Sequence, residues 1–260
     1  MPRLDYYLTF NGYFSSRERA KEAIKSGEIL VNGKVCCKPA LDVSDSDTVD
    51  FLGTQLKYVG RGGLKLEAAI DAFGIKLFCL SCADLGASTG GFTDCMLQNG
   101  AEKVYAIDVG HGQLAEKLLQ DSRVVNIEGV NVKDVSIDTT GEAVDFVTAD
   151  LSFISVKFAI SAAVKILKEN GKAAFLIKPQ FEAGKDSIGK GGIVKDKSVH
   201  IRVLEDIYGY LLSNSFGVAG IIPSPIKGGD GNIEYLAYCT RDSEKNPIPD
   251  FSEIVRKAFS

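Results

Sequence analysis

The stretch Ala83-Asp84-Leu85-Gly86-Ala87-Ser88-Thr89-Gly90-Gly91-Phe92, continuing into Thr93-Asp94-Cys95-Met96-Leu97, constrains this chain more than any other. An apolar run, Leu77 to Leu80, leads in, glycines interrupt it, and helical spacing resumes at Phe92, Met96 and Leu97. That order predicts a strand, a tight loop and a helix start, the opening of a βαβ unit. Glycine lets such a loop approach a ligand closely, and the helix start turns free N–H groups toward it. Roughly 20 residues on, Val104-Tyr105-Ala106-Ile107 predicts a second buried strand ending in Asp108, a carboxylate placed to accept hydrogen bonds from a ribose. The glycine spacing is Gly-x-x-x-Gly-Gly, not the Gly-x-Gly-x-x-Gly of dinucleotide binders, and no Gly-Lys-Ser/Thr phosphate loop occurs. A ligand with ribose and adenine but no phosphate, such as S-adenosylmethionine, fits this loop. Its expected contacts are Asp84, Gly86, Ser88, Thr89, Gly90, Gly91, Phe92 and Asp108.

Strand and helix patterns continue in alternation. Gln113 to Gln120 reads as a helix, Val124 to Ile127 as a third strand, and Ala143 to Thr148 as a fourth running into Asp150. Residues 157–168 return to helical spacing, and Lys172 to Ile177 is a fifth buried strand ending at Lys178-Pro179. Alternation of this kind predicts an α/β domain with a doubly wound, mostly parallel sheet, whose ligands sit beyond the strand carboxyl ends. Asp84, Asp108, Asp150 and Lys178 all fall at such ends. Ala183 to Lys197 reads as a mobile basic loop, followed by a helix (Val203 to Leu212) and a strand (Gly217 to Ile222). The loop Pro223 to Asn232, which includes Asp230 and Gly231, then delivers Glu234 at the head of the alternating strand Tyr235 to Cys239. Upstream, Leu66, Ala69, Ile70 and Phe73 repeat at helical spacing, which puts Lys65 in a first turn, where a positive charge opposes the helix dipole.

Bulk composition narrows the classes. The 260 residues carry a net charge of −4, so a nucleic-acid surface must be a local patch. No stretch approaches the ~20 apolar residues of a membrane span, and Met1-Pro2-Arg3-Leu4-Asp5 lacks the apolar core of a signal peptide. Six cysteines lie mostly in apolar runs, the expected state being reduced thiols in a cytoplasmic protein. Cys79-Leu-Ser-Cys82 has zinc spacing, but no second pair completes a site; it reads as two half-buried core positions, and no metal is expected.

The first sixty residues are organised differently. Leu4, Leu8 and Phe10 suggest a short helix stopped by Gly12. Ser15 or Ser16 caps a second, running to about Ser26. Arg17, Lys21 and Lys25 recur at i, i+4 and i+8 along that helix. Asn32-Gly33 between Glu28–Val31 and Lys34–Cys36 is a strong hairpin signal. From Met1 to Lys38 there are seven Lys/Arg against four Asp/Glu, and Asp42, Asp45, Asp47 and Asp50 follow. Arg3-Leu4-Asp5, Gly12, Ser16-Arg17, Ala20, Ile24, Gly27, Val31-Asn32-Gly33, Lys38-Pro39 and Asp47 together resemble the S4 RNA-binding module. The resemblance implies a helical hairpin and small sheet that grip structured RNA, with Arg3, Arg17, Lys21 and Lys25 as expected contacts; Arg61, beyond the module, is a further expected RNA contact. The expected boundaries are a small α+β domain over residues 1–54, a linker over 55–61 and the larger domain over 62–260.

Lys65, Asp150, Lys178 and Glu234, in that order around a methyltransferase-like sheet, resemble the Lys-Asp-Lys-Glu tetrad of FtsJ-like RNA 2′-O-methyltransferases. Together with the S4 module, Gly62-Gly63-Leu64-Lys65-Leu66-Glu67, the Gly86 loop and Gly231-Asn232-Ile233-Glu234-Tyr235, nearly the whole chain resembles the TlyA, or hemolysin-A-like, family. It departs from that pattern at Gly60, where serine is expected, and at Asp230 before Gly231. The resemblance implies 2′-O-methylation of ribosomal RNA, at cytidine, using S-adenosylmethionine, with ribosomal RNA or ribosomal subunits as partners; no membrane partner is expected, and no stable protein partner is implied. It implies catalytic roles for Lys65, Asp150, Lys178 and Glu234, with Asp150 also lying between cofactor and lysines. Lys178 accepts a proton only in its neutral form, which Lys65 favours by repulsion while Asp150 and Glu234 favour the ammonium. Two other classes fit less of the sequence: a non-catalytic S4-type RNA-binding or ribosome-assembly protein, which has no use for the tetrad, and a membrane-active hemolysin, which lacks a spanning or strongly cationic amphipathic segment.

Overall fold

The computed structural model describes residues 2–11, 13–14, 17–44, 47–51, 57–189, 191–229, 231–241 and 248–260. The readings placed on Gly12, Ser15, Ser16, Asp45, Lys190 and Asp230 lie outside these. The chain divides into two compact units, Met1–Lys57 and Tyr58–Ser260.

In the smaller unit, α1 (Leu4–Phe10) and α2 (Arg17–Lys25) precede a three-stranded antiparallel sheet of β1 (Ile29–Val31), β2 (Lys34–Val35) and β3 (Val49–Phe51), ordered β2-β1-β3. Leu4, Leu8, Ala20, Ala23, Ile24, Ile29 and Val43 form its core. The hairpin signal at Asn32-Gly33 is realised with both residues at positive φ, 53° and 74°, as a tight two-residue turn demands. Asn32 also donates to Asp47 Oδ1 (2.7 Å) and accepts from the Thr48 N–H (2.9 Å), which sets the approach to β3. Residues 49–51 carry too little apolar pattern to read as a strand in advance; cross-strand pairing to β1 makes them one.

The larger unit contains β4 (Ser81–Leu85), β5 (Lys103–Asp108), β6 (Val124–Glu128), β7 (Val144–Ala149), β8 (Leu167–Ile177), β9 (Gly217–Pro223) and β10 (Tyr235–Thr240). They form one sheet in the order β6-β5-β4-β7-β8-β10-β9; the first five are parallel, and β10 runs antiparallel to both neighbours. Helices α3 (Gly62–Phe73) and α4 (Gly91–Gln98) share one core with side chains such as Cys82, Val104, Ala106 and Phe146. The alternate residues of the same strands, Ala83, Leu85, Tyr105, Ile107 and Val147, pack with α7 (Lys157–Ile166) and α9 (Lys197–Ser213) in the other. This period-two division across a two-faced sheet is why the strands read as continuous apolar runs. The remaining helices are short, α5 (Glu116–Leu119), α6 (Ile137–Thr140), α8 (Pro179–Glu182) and the near-terminal α10 (Phe251–Ala258).

Several local expectations shift. The apolar run Leu77–Leu80 is a turn, with Cys79 at φ 60° and the Leu80 N–H bonded back to Leu77 O; the strand begins only at Ser81. Cys79 is exposed and Cys82 fully buried, so they are not a matched half-buried pair. The helix expected over 113–120 shrinks to Glu116–Leu119. Tyr58 to Arg61, read as the end of the linker, belong to the larger unit, because the Tyr58 ring is buried in its α3–α4 core.

Candidate active site

Order reversal creates the site. Successive strands β4, β5 and β6 run to one side, and β7 returns to the other side of β4, so the connections leaving the adjacent carboxyl ends of β4 and β7 part in opposite directions at a topological switch point, where ligands of such sheets bind. Gly86 follows β4 there and Asp150 follows β7; the Asp150 N–H donates to Leu85 O (3.1 Å) and the Gly86 N–H to Ile107 O (2.8 Å). Gly86 has φ 82°, and a Cβ on it would stand 2.8 Å from the Asp150 carbonyl oxygen, so only glycine lets these two strand ends meet. At Gly91 a Cβ would lie 3.0 Å from the Gly63 nitrogen. The glycine pairs 62–63 and 90–91 therefore allow α3 and α4 to touch backbone to backbone at their starts.

Asp84 is a support rather than a ligand-facing group. It is fully buried, accepts from the Thr93 N–H (2.9 Å) and hydroxyl (2.7 Å) on one oxygen and from the Thr148 hydroxyl (3.0 Å) on the other, and so ties β4 to α4 and β7. Burial pushes its carboxyl up to about 6 against those hydrogen bonds. Asp108 ends β5 half-buried; its oxygens accept from the Ser88 N–H (2.8 Å) and the Gly110 N–H (2.7 Å). Ser88 is at φ 48°, a shape stabilised by the Asp108 bond, and Thr89 and Gly90 lead into α4, where Phe92 is buried. The loop and Asp108 thus form one hydrogen-bonded cradle.

Four charged side chains converge beside it in a chain of alternating sign. Lys178 Nζ lies 2.5 Å from Asp150 Oδ1, Asp150 Oδ2 lies 4.0 Å from Lys65 Nζ, and Lys65 donates to Glu234 Oε2 at 2.6 Å. Lys65, Lys178 and Glu234 are buried, whereas the Asp150 side chain keeps 23 % exposure, which leaves the centre of the chain open to an incoming ligand. Antiparallel β10 explains Glu234: the strand's amino end sits at the carboxyl end of β8, with Tyr235 opposite Ile177, so Glu234 just before β10 and Lys178 just after β8 stand at the same end of the sheet. Lys65 escapes its unfavourable position near the start of α3 because Glu234 compensates it.

Residues not singled out from sequence complete the site. Ser152 Oγ accepts from Lys178 Nζ (3.1 Å). Phe153 is 88 % exposed at φ 67°, a strained state for a bulky residue, and its ring lies 5.4 Å from that of Phe181. Glu182 accepts from the Ser155 hydroxyl (2.6 Å) and the Val156 N–H (2.7 Å), joining the loop after β7 to the one after β8. Buried Asn232 accepts from the Val194 N–H (3.1 Å) and donates to Gly192 O (3.0 Å), while His200 bridges Val194 O and the Tyr235 hydroxyl. The described part of the 183–197 loop is thereby pinned to the segment before Glu234, not free as its glycines suggested. Arg61, expected on RNA, is exposed and donates to Lys227 O (3.1 Å), steadying the same segment.

In the smaller unit, Arg3 and Arg17 both pair with buried Asp5 (3.1 and 3.3 Å), so two of the expected RNA contacts are anchored together. Lys25 is exposed and Lys21 half-buried on α2.

A doubly wound sheet with a glycine loop bonded to Asp108 and a lysine–carboxylate chain at its switch point fits the methyltransferase class of α/β domain. Comparison with known families agrees: a model of the FtsJ-like methyltransferases matches residues 58–241, and a model of the S4 domain matches residues 2–49. The chain belongs to the FtsJ-like methyltransferase family and carries an S4 domain at its N-terminus. It is 43 % identical to the YqxC protein of Bacillus subtilis (strain 168), described as an rRNA methyltransferase, covering 98 % of this chain and 93 % of that one. It is 37 % identical to the 16S/23S rRNA (cytidine-2′-O)-methyltransferase TlyA of Mycobacterium tuberculosis (strain ATCC 25618 / H37Rv), over 94 % of this chain and 91 % of that one. A solved structure from Streptococcus thermophilus, described as a hemolysin, superposes with a TM-score of 0.81 at 42 % identity and covers 99 % of this chain and 95 % of that one.

Proposed function

We propose that this protein transfers the methyl group of S-adenosylmethionine to a ribose 2′-hydroxyl of ribosomal RNA, at cytidine, acting on ribosomal subunits in the cytoplasm. The observation that carries this reading is the Lys178–Asp150–Lys65–Glu234 chain, opening on the sheet switch point beside the Gly86–Asp108 cradle. The cradle suits the cofactor chemically: it offers backbone N–H groups and a carboxylate, and no lysine or arginine lies among residues 84–92 to demand a phosphate. Gly86, Ser88, Thr89, Gly90 and Gly91 would hold it with Asp108 on its ribose hydroxyls, and when bound it supplies an electrophilic methyl group.

The chain's own residues do the rest. A 2′-hydroxyl becomes a useful nucleophile only when its proton is accepted or its developing negative charge is stabilised. Lys178 is the group for this role; Asp150 and Ser152 fix its amine, and Pro179 confines its backbone to the extended state observed (φ −113°, ψ 101°). Lys65, held by Glu234, orients the ribose and balances Asp150. Holding the ribose oxygen in line for displacement supplies much of the rate of such a transfer, and it needs side chains that cannot wander. Phe153 offers a planar face for the target base.

Arginines on the small unit support the RNA reading. A non-catalytic RNA binder has no reason to bury two lysines and a glutamate around Asp150, an arrangement costly to build unless used. Among the described residues no helix is long and apolar enough to cross a membrane. The test is methyl transfer from labelled S-adenosylmethionine to rRNA or purified subunits, with the product nucleoside identified as 2′-O-methylcytidine. Label appearing on protein, on a base or nowhere would refute the proposal.

A further inference from the structure

The small unit carries a second feature that its charge pattern does not explain. Buried apolar residues of α1 face inward at Leu4 and Leu8, yet Tyr6 (46 % exposed), Phe10 (76 %) and Tyr13 (53 %) face out. Tyr6 and Phe10 stack upon one another, ring centres 5.7 Å apart and planes at 21°. At 100° per residue, Arg3, Tyr6 and Phe10 fall within roughly 60° of arc, so a guanidinium and two aromatic rings share one stripe. Asp5, fully buried, fixes the Arg3 and Arg17 guanidinium groups together, and both stay about half exposed, at 48 % and 46 %. The exposed residues described from position 2 to 13 include no acid.

We infer that this stripe is a binding site for an unpaired nucleotide of structured RNA: the base lies on the Tyr6–Phe10 stack, and the Arg3–Arg17 pair holds the adjacent phosphate. This inference rests on the RNA reading above and deepens it, because it specifies loops or bulges over perfect duplex as the element gripped. A-form helices hide their bases, whereas unpaired bases splay out and stack on aromatic side chains or guanidinium planes. Stacking accepts any base, so the site adds affinity without dictating sequence. A protein partner would gain little from a guanidinium pair whose one carboxylate partner among the described residues is already buried beneath it. An unpaired nucleotide uses both halves of the stripe.

The experiment titrates the full-length protein against two rRNA-derived probes, a hairpin with 2-aminopurine in its single-stranded loop and the same sequence closed as a duplex. Tyr6→Ala/Phe10→Ala should weaken hairpin binding about fivefold to hundredfold per stacked base. It should abolish 2-aminopurine quenching and leave duplex affinity within about twofold. Because no charge is removed, the slope of log K against log salt should stay at the wild-type value, whereas Arg3→Ala/Arg17→Ala should flatten it. Tyr6→Phe, which keeps the ring, should bind as wild type. Unchanged hairpin affinity in the double alanine variant overturns the inference, as does a wild-type dimer that becomes monomeric in that variant, since the face would then be a protein interface. Wild-type protein that binds neither probe nor ribosomal subunits would instead count against the proposed function itself.

Discussion

Removing Glu234 should expose how the site balances its charges. Glu234 Oε2 is 2.6 Å from Lys65 Nζ, with side-chain exposures of 2 % and 9 %, and the only other acid the structure brings to Lys65 among the described residues is Asp150 at 4.0 Å. Glu234→Leu leaves a buried ammonium with one distant, shared partner. Breaking a buried pair in this way costs about 3–5 kcal/mol. For a unit of this size each kcal/mol lowers Tm by roughly 2–4 °C, so the larger unit should melt about 6–20 °C lower. Replacing both members, Lys65→Met with Glu234→Leu, removes the uncompensated charge and should return stability to within ~1–2 kcal/mol of wild type, since apolar pairs of similar volume substitute for buried ion pairs. Methyl transfer should not return with it. Calorimetry and a single-turnover methylation assay on the wild type and these two variants read both quantities. A single Glu234→Leu variant that melts as wild type would show that the pair is not formed, and an active double variant would remove Lys65 and Glu234 from the chemistry.

Other perturbations test separate parts. Asp108→Ala should weaken S-adenosylmethionine and S-adenosylhomocysteine binding by isothermal calorimetry, through lost ribose hydrogen bonds and a loosened Ser88 turn; unchanged affinity would remove Asp108 from the cradle. Arg17→Ala/Lys21→Ala/Lys25→Ala should weaken subunit binding and lower its salt slope by up to about three while cofactor affinity holds; a slope that does not move would make the stripe a solvated face. Gly63→Ala places a Cβ 2.3 Å from the Tyr58 ring and should destabilise the α3–α4 start, read as a fall in Tm of the larger unit; a neutral effect would contradict the packing described. Asn232→Ala should free the 192–194 segment and raise amide exchange at Val194 and its neighbours; unaltered exchange would show that Asn232 does not pin the segment.

Strand ends were legible in the sequence because apolar runs stop at charged residues, and Asp108, Asp150 and Lys178 stand where those runs predicted. The register that turns them into a site was not. Nothing local in Tyr235–Cys239 announces that this strand enters antiparallel, yet that reversal puts Glu234 at the end of the sheet where β8 delivers Lys178. Asp84 looked like a ligand-facing acid because it neighbours the glycine loop; the alternation of β4 turns it inward, onto Thr93 and Thr148. Arg61 and the 183–197 loop show only charge and glycine in the sequence, whereas their hydrogen-bond partners, Lys227 and Asn232, lie 166 residues from Arg61 and 38 from Val194. Long-range pairs of that kind leave no periodic trace.

The most direct measurement of the central claim is Lys178→Ala, assayed for rRNA methylation by single-turnover label transfer and by mapping of 2′-O-methyl marks, with S-adenosylmethionine and RNA affinities measured on the same protein. The account predicts a loss of about 10²–10⁴-fold in turnover, absent marks, and both affinities close to wild type. Lys178→Arg, which keeps the charge and cannot accept a proton, separates electrostatic activation from proton abstraction by retaining activity only under the first. Near-normal turnover in folded Lys178→Ala would contradict the catalytic assignment of the lysine–carboxylate chain.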